Sequence, residues 1–136
     1  MTEREAALKI IAVGDIFHAR IRPDGGPSYI CLALQVHEDR IFARRTTIQS
    51  VHWFDRKTGV EIDDDRVVID SVEPLPPDIR EIILGLDQKY HEDEYRWAED
   101  PDWEPPEGSS RLTPDQRRAF SFIADFYPAH PLPPRQ

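Results

Sequence analysis

A chain of 136 residues, with 39% hydrophobic and 32% charged residues, is long enough for one hydrophobic core and too short for two. Its formal net charge of −9 argues against a general DNA- or RNA-binding protein, because contacts to phosphates require basic side chains. The single cysteine, Cys31, excludes an internal disulfide framework and a thiolate metal cluster, and its apolar neighbours predict a buried side chain.

The charge is unevenly distributed along the chain. Residues 61–110 contain 17 acidic and four basic residues, a net charge of −13, which leaves +4 for the remainder. We therefore expect a mildly basic β-structured part and a strongly acidic helical part. Near the N-terminus only Ile10–Val13 is apolar, which is too short for a signal peptide or a membrane span. We accordingly expect a cytoplasmic protein without membrane contact.

Short apolar segments joined by turn residues predict β-structure over residues 10–73. The uninterrupted apolar run Tyr29–Leu34 is typical of a central strand covered on both faces. Five or six strands at this spacing predict a small antiparallel barrel or bent sheet, which is SH3-like by analogy of strand count and turn lengths. The predicted strands are residues 10–22, 28–37, 41–47, 48–55, 60–62 and 66–72, with a loop rich in Pro and Gly at 22–27.

Two helices are predicted after the β part, so the fold class is α+β in a single domain over residues 1–136. The first, over 77–97, begins with Pro77 in a first-turn position and carries an apolar stripe from Ile79 to Tyr90. The second, over 113–127, begins with a capping box and should end before Pro128. Residues 98–112 are predicted to be an acidic, Pro-rich linker and 128–136 an extended tail.

Acidic and aromatic residues are interleaved in the segment 90–107. Tryptophan and tyrosine supply much of the binding energy at protein interfaces, while acidic residues accelerate association with a basic partner. The alternative is that the tryptophans pack this segment against the barrel and the acids face water. The predicted partner-binding residues are Glu92, Asp93, Glu94, Tyr95, Trp97, Glu99, Asp100 and Trp103.

A second hypothesis places nucleic acid on the barrel. Arg44 and Arg45 are basic, and Trp53 could stack on the bases of a single strand. However, strand alternation sends Arg44 and Arg45 to opposite faces of the sheet. We therefore expect nucleic-acid contact as part of a larger complex rather than by this chain alone.

A third hypothesis is an enzyme that uses His18 or His52 with a carboxylate such as Asp15 or Asp55. No HxH or HExxH pattern is present, and no nucleophile motif either. We therefore expect no metal, no cofactor and no catalytic residues.

The first hypothesis, which the acidic and aromatic segment 90–107 favours, is a non-enzymatic protein-interaction module. It is an adaptor, regulator or inhibitor that docks on a basic protein surface.

Overall fold

The computed structural model describes residues 1–22 and 28–134. Residues 23–27 of the loop predicted at 22–27, and the last two residues of the predicted tail, lie outside them. The described residues form α1 (Glu3–Lys9), β1 (Ile16–Ile21), β2 (Ser28–Val36), β3 (Arg40–Arg45), β4 (Val51–Asp55), β5 (Val67–Ser71), α2 (Pro77–Glu99) and α3 (Pro114–Ala129). The antiparallel sheet has the order β4-β3-β2-β1-β5 and curls into a half-barrel. This architecture confirms the predicted α+β class, a bent sheet followed by two helices.

β2 lies between two hydrophobic cores, which explains its apolar run. Cys31 faces the interior of the half-barrel, where it belongs to a core with Phe17 of β1 and Leu8 of α1. Its neighbour Ile30 faces outward and belongs to a second core with residues of α2 and α3, including Ile83. Because successive strand residues point to opposite faces, a strand between two cores must be apolar throughout.

Residues 59–62 connect the two edge strands of the half-barrel. The Ile62 N–H donates to the Trp53 carbonyl of β4 at 2.9 Å, and the Glu61 N–H donates to the Val67 carbonyl of β5 at 2.9 Å. The return strand predicted at 60–62 is thus reduced to two isolated bridges. This short segment satisfies hydrogen-bonding groups that an open sheet edge would leave exposed.

Two strands begin later than predicted because turns precede them. β1 starts at Ile16, not at residue 10, and Gly14 just before it adopts φ +91°. β4 starts at Val51, not at residue 48, because Gln49 adopts φ +62° and its N–H donates to the Arg45 carbonyl at 2.8 Å. The predicted starts were wrong because residues with positive φ cannot continue an extended strand.

The third helix continues through Pro128, which was predicted to end it. A proline disfavours helical backbone at the preceding residue, here Tyr127. However, Tyr127 is buried and its ring stacks on His18 with centroids 4.8 Å apart, so tertiary packing overrides the local preference. The chain beyond the helix lies against β5, where the Leu132 N–H donates to the Asp70 carbonyl at 2.7 Å.

α2 is a 23-residue helix, roughly 35 Å long at 1.5 Å per residue. It begins at Pro77 as predicted and ends at Glu99, two residues beyond the predicted end. Its buried side chains, including Ile83, lie in the first half, whereas none from Tyr90 to Glu99 is fully buried. None of the described helices is both long and apolar enough to cross a membrane.

Candidate functional site

The face of α2 that covers the sheet continues past it as an acidic and aromatic face. Ile83 lies in the core against the sheet, and Tyr90 is half-buried near the end of this contact. Asp93, Glu94 and Trp97 follow Tyr90 at i+3, i+4 and i+7, so they lie on the same side of the helix. Where α2 extends past the sheet, the same side of the helix therefore presents two carboxylates and an indole ring.

Trp97 and Trp103 hold each other in place. The indole Nε1–H of Trp97 donates to the Trp103 carbonyl at 2.8 Å, and the two rings meet edge to face with centroids 5.5 Å apart. The Arg96 guanidinium lies 5.4 Å from the centre of the Trp103 ring. Trp97 is nevertheless 40% exposed. It thus presents an apolar ring whose polar N–H is already satisfied.

A groove of about 300 Å³ lies between α2, the turn that joins β3 to β4, and the segment after α2. Ile48, in that turn, is 55% exposed. An exposed apolar surface bordered by charges is typical of a protein-contact site. We call this feature the acidic groove, and define it by Ile48, Tyr90, Asp93, Glu94, Trp97 and Pro105.

Part of the predicted partner-binding set lies away from the acidic groove. Glu92, Tyr95 and Glu99 are on the opposite side of α2, because their spacing from Trp97 corresponds to about half a helical turn. Tyr95 is 65% exposed there. Asp100 follows the helix, and its carboxylate accepts the backbone N–H two residues further on at 3.1 Å. Only part of the predicted partner-binding set therefore lies on the face of α2 that lines the acidic groove.

Three residues of the acidic groove, Ile48, Tyr90 and Pro105, were not among the predicted partner-binding residues, although Tyr90 and Pro105 lie within the segment 90–107. The helical spacing of Tyr90, Asp93 and Trp97 could have identified the face that continues from the stripe. Nothing in the local sequence links Ile48 to α2, because their proximity depends on how the helix crosses the sheet.

The predicted nucleic-acid-binding residues do not share one surface. Arg44 forms two hydrogen bonds to the Asp87 carboxylate of α2, at 3.0 and 2.7 Å. Arg45 points to the other face of β3, where its guanidinium lies 4.0 Å from the centre of the Tyr29 ring. Trp53 is one strand away, on β4. With Arg44 neutralised and Arg45 on the other face, the geometry gives no support to a basic patch built from these three residues.

His18 and His52 lie on β1 and β4, which are not neighbours in the sheet. Each imidazole has its own carboxylate partner. His18 Nδ1 lies 2.6 Å from Asp70 Oδ1, and His52 Nδ1 lies 2.8 Å from Glu61 Oε1. His18 and His52 therefore do not share one site.

The acids expected beside these histidines, Asp15 and Asp55, stabilise turns instead. The Asp15 carboxylate accepts the Ala12 N–H at 2.8 Å, and the Asp55 carboxylate accepts the N–H groups of Lys57 and Thr58, both at 2.9 Å. Aspartate at a turn commonly bonds nearby backbone in this way. Within residues 1–22 and 28–134, no three His, Cys, Asp or Glu side chains converge as a metal site.

Comparisons of this chain with protein-family models, with curated proteins and with solved structures find no significant match. No activity or partner of another protein is therefore transferred to it. The acidic groove and its charges remain as the physical basis for a functional proposal.

Proposed function

We propose that this protein is a cytoplasmic interaction module, an adaptor, regulator or inhibitor, that docks on a basic protein surface through the acidic groove. The proposal rests on the position of Trp97. Its ring is 40% exposed, is fixed by a hydrogen bond to Trp103, and lies on the same helix face as the carboxylates of Asp93 and Glu94. Rigid aromatic anchors of this kind dominate the energetics of many interfaces.

The charge of the acidic groove defines the chemistry of the partner. Asp93 and Glu94 line it, and the surrounding residues 61–110 carry a net charge of −13. The one lysine in its lining, Lys89, donates through Nζ to the Ser109 carbonyl, so its ammonium is directed to the chain's own backbone. A negative potential over such a surface accelerates association with a positively charged partner.

The mixed lining favours one kind of partner segment. Lys or Arg side chains would pair with Asp93 and Glu94, and a cation can also bind over the face of Trp97. An apolar side chain between them would contact Ile48 and Pro105. The proposed partner therefore presents basic residues on either side of an apolar one.

The proposed compartment is supported by cysteine usage. Cys31 is the only cysteine of the chain, and it is free and buried. Disulfides are rare in the reducing cytoplasm, so this usage is consistent with that location. Fractionation of host cells tests it directly, and recovery of the protein in an oxidising compartment would contradict it.

Partner capture followed by reconstitution tests the docking proposal. Proteins that bind the tagged chain at low salt are identified by mass spectrometry, purified, and titrated against it by calorimetry. The double variant Asp93→Lys, Glu94→Lys should bind at least about tenfold more weakly, since it reverses the charge inside the acidic groove.

The matched control is Asp63→Lys, Asp65→Lys, which changes the net charge equally at two exposed positions in the turn before β5. Its affinity should stay within about threefold of the wild type, because long-range steering alone is weakened. Equal weakening by both double variants would show general charge attraction rather than docking in the acidic groove. Unchanged binding by Asp93→Lys, Glu94→Lys would contradict the proposal outright.

A further inference from the structure

Ser28, His18 and Asp70 form a continuous hydrogen-bonded chain on the face of the sheet that α3 covers. With its ring proton on Nδ1, His18 donates to Asp70 Oδ1 at 2.6 Å, and its Nε2 accepts the hydroxyl proton of Ser28. The three residues lie on β2, β1 and β5, which are adjacent and paired. The backbone hydrogen bonds of three strands therefore fix their relative positions. The connectivity is that of a Ser–His–Asp catalytic triad.

The base is held rigidly, while the hydroxyl-bearing residue is accessible. The His18 side chain is 6% exposed, and its ring stacks on Tyr127 with centroids 4.8 Å apart. Asp70 is held in turn by Arg20, whose Nε lies 2.8 Å from Asp70 Oδ2. Ser28, the first residue of β2, is exposed. This combination suits a nucleophile that meets substrate and a base whose orientation does not change.

A cavity of about 430 Å³ lies beside this chain of hydrogen bonds. Its volume falls within the range of small-molecule sites in proteins. Ser28 and His18 form part of its wall, Ile30 and Phe120 supply apolar surface, and Thr47 brings a hydroxyl donor. The cavity can therefore hold a short apolar group next to the Ser28 oxygen.

We propose that this site hydrolyses short-chain carboxylic esters, with Ser28 as nucleophile and His18 as general base. Ser28 Oγ bonds to the acyl carbon while its proton moves to His18 Nε2. The acyl C–O bond then breaks, and that proton leaves with the alcohol. Water attacks the acyl-enzyme by the same route, which releases the carboxylic acid and restores Ser28. Thr47, which lines the same cavity, is assigned the role of hydrogen-bond donor to the oxyanion, and Asp70 is a positioning residue for His18.

A second series of hydrogen bonds, from a serine through a histidine to a carboxylate, provides an internal control. Ser50 Oγ lies 2.8 Å from His52 Nε2, and His52 Nδ1 lies 2.8 Å from Glu61 Oε1. Ser28 and His18 line the cavity of about 430 Å³, whereas Ser50, His52 and Glu61 do not. Ser50→Ala therefore removes the same hydroxyl from the same kind of hydrogen bond, away from the proposed site.

The direct test is labelling of the full chain with a fluorophosphonate probe, followed by peptide mass spectrometry. The phosphonyl group should be found on Ser28 in the wild type and in Ser50→Ala. Hydrolysis of p-nitrophenyl butyrate should fall at least about 100-fold in kcat/KM in Ser28→Ala and stay within about twofold in Ser50→Ala. Because the wild type alone reports the labelled residue, the result does not depend on the folding of a variant.

The variant Asp70→Asn tests whether Asp70 positions His18 for catalysis or only stabilises the fold. It should lower kcat with little change in KM, since substrate binding does not involve Asp70. Absence of label on Ser28, or equal hydrolysis by Ser28→Ala and the wild type, would overturn the catalytic proposal. An unchanged kcat in Asp70→Asn would overturn the role of Asp70. None of these measurements involves a protein partner, so their outcome is independent of the docking proposal.

Discussion

The Arg44 guanidinium and the Asp87 carboxylate meet through two hydrogen bonds, of 3.0 and 2.7 Å, between β3 and α2. The Gln49 side-chain amide also donates to Asp87 Oδ1, at 2.9 Å. Gln49 follows Ile48 in the turn that forms one wall of the acidic groove, and Asp87 lies one turn before Tyr90 on α2. This cluster therefore fixes the two walls of the acidic groove relative to each other.

Breaking this ion pair on one side should strongly destabilise the fold. Arg44→Ala leaves the Asp87 carboxylate, which is 4% exposed, without its cation, and we expect the free energy of unfolding to fall by about 3–5 kcal/mol. The double variant Arg44→Leu, Asp87→Leu should lose much less, since no buried charge is left unpaired. Urea unfolding of the three proteins measures both values. A loss below about 1 kcal/mol in Arg44→Ala would contradict the importance of the pair.

Arg44 also shows which features of the predicted nucleic-acid-binding patch the sequence could and could not reveal. Alternation along a strand is a local property, and it correctly placed Arg44 and Arg45 on opposite faces. The partner of Arg44, however, is 43 residues away on α2, so its neutralisation depends on the crossing of the helix over the sheet. A basic patch predicted from adjacent residues therefore could not take into account that Asp87 neutralises Arg44.

The same distinction applies to the rest of the fold. The capping box of Thr113 and Gln116 was predicted from their spacing, and both reciprocal hydrogen bonds are present. By contrast, the meeting of Ser28, His18 and Asp70 requires β1 to lie between β2 and β5, which no local pattern encodes. Local hydrogen bonds and periodicity were therefore predictable, whereas contacts set by strand order were not.

The glycines Gly59 and Gly85 should respond in opposite ways to the same substitution. Gly59 adopts φ +76°, and an added Cβ would lie 2.8 Å from Arg4 Nη2 and 3.2 Å from Ile69 Cβ. Gly59→Ala should therefore destabilise the fold by about 1–3 kcal/mol. Gly85 is exposed on α2 and an added Cβ meets nothing within 4 Å, so Gly85→Ala should stabilise by about 0.5–1 kcal/mol.

Thermal unfolding of both variants against the wild type measures these changes. The melting temperature should rise for Gly85→Ala and fall for Gly59→Ala. A lower melting temperature for Gly85→Ala would mean that this position of α2 is not open as described, and an unchanged one for Gly59→Ala would contradict its strained, close-packed environment.

The fold should lose stability at alkaline pH because of two buried acidic groups. Burial raises the pKa of the Cys31 thiol above its ordinary value of 9.0, and raises the pKa of the Tyr127 phenol above its ordinary value of 10.0. Below these ordinary values both the folded and the unfolded chain keep the protons. Above them the unfolded chain loses its protons first, so the free energy of unfolding falls by up to about 1.4 kcal/mol per pH unit for each group.

Guanidinium unfolding from pH 8 to 11 measures this decline, and Tyr127→Phe is the sharpest comparison. The Tyr127 hydroxyl is buried without a hydrogen-bond partner among the described residues, so its removal should leave stability at pH 8 unchanged or slightly higher. Above pH 10 the decline should be shallower than in the wild type. An identical slope in Tyr127→Phe and the wild type would show that this phenol is not the source.

Site-specific photo-crosslinking tests the docking function most directly. The crosslinker p-benzoylphenylalanine is placed at Ile48, in the acidic groove, or at Tyr95, on the opposite side of α2 and 65% exposed. We expect a protein adduct from position 48 alone, with a crosslinked peptide in which Lys or Arg residues flank an apolar one. Adducts of equal yield from both positions, or a crosslinked peptide without basic residues, would contradict docking of a basic partner in the acidic groove.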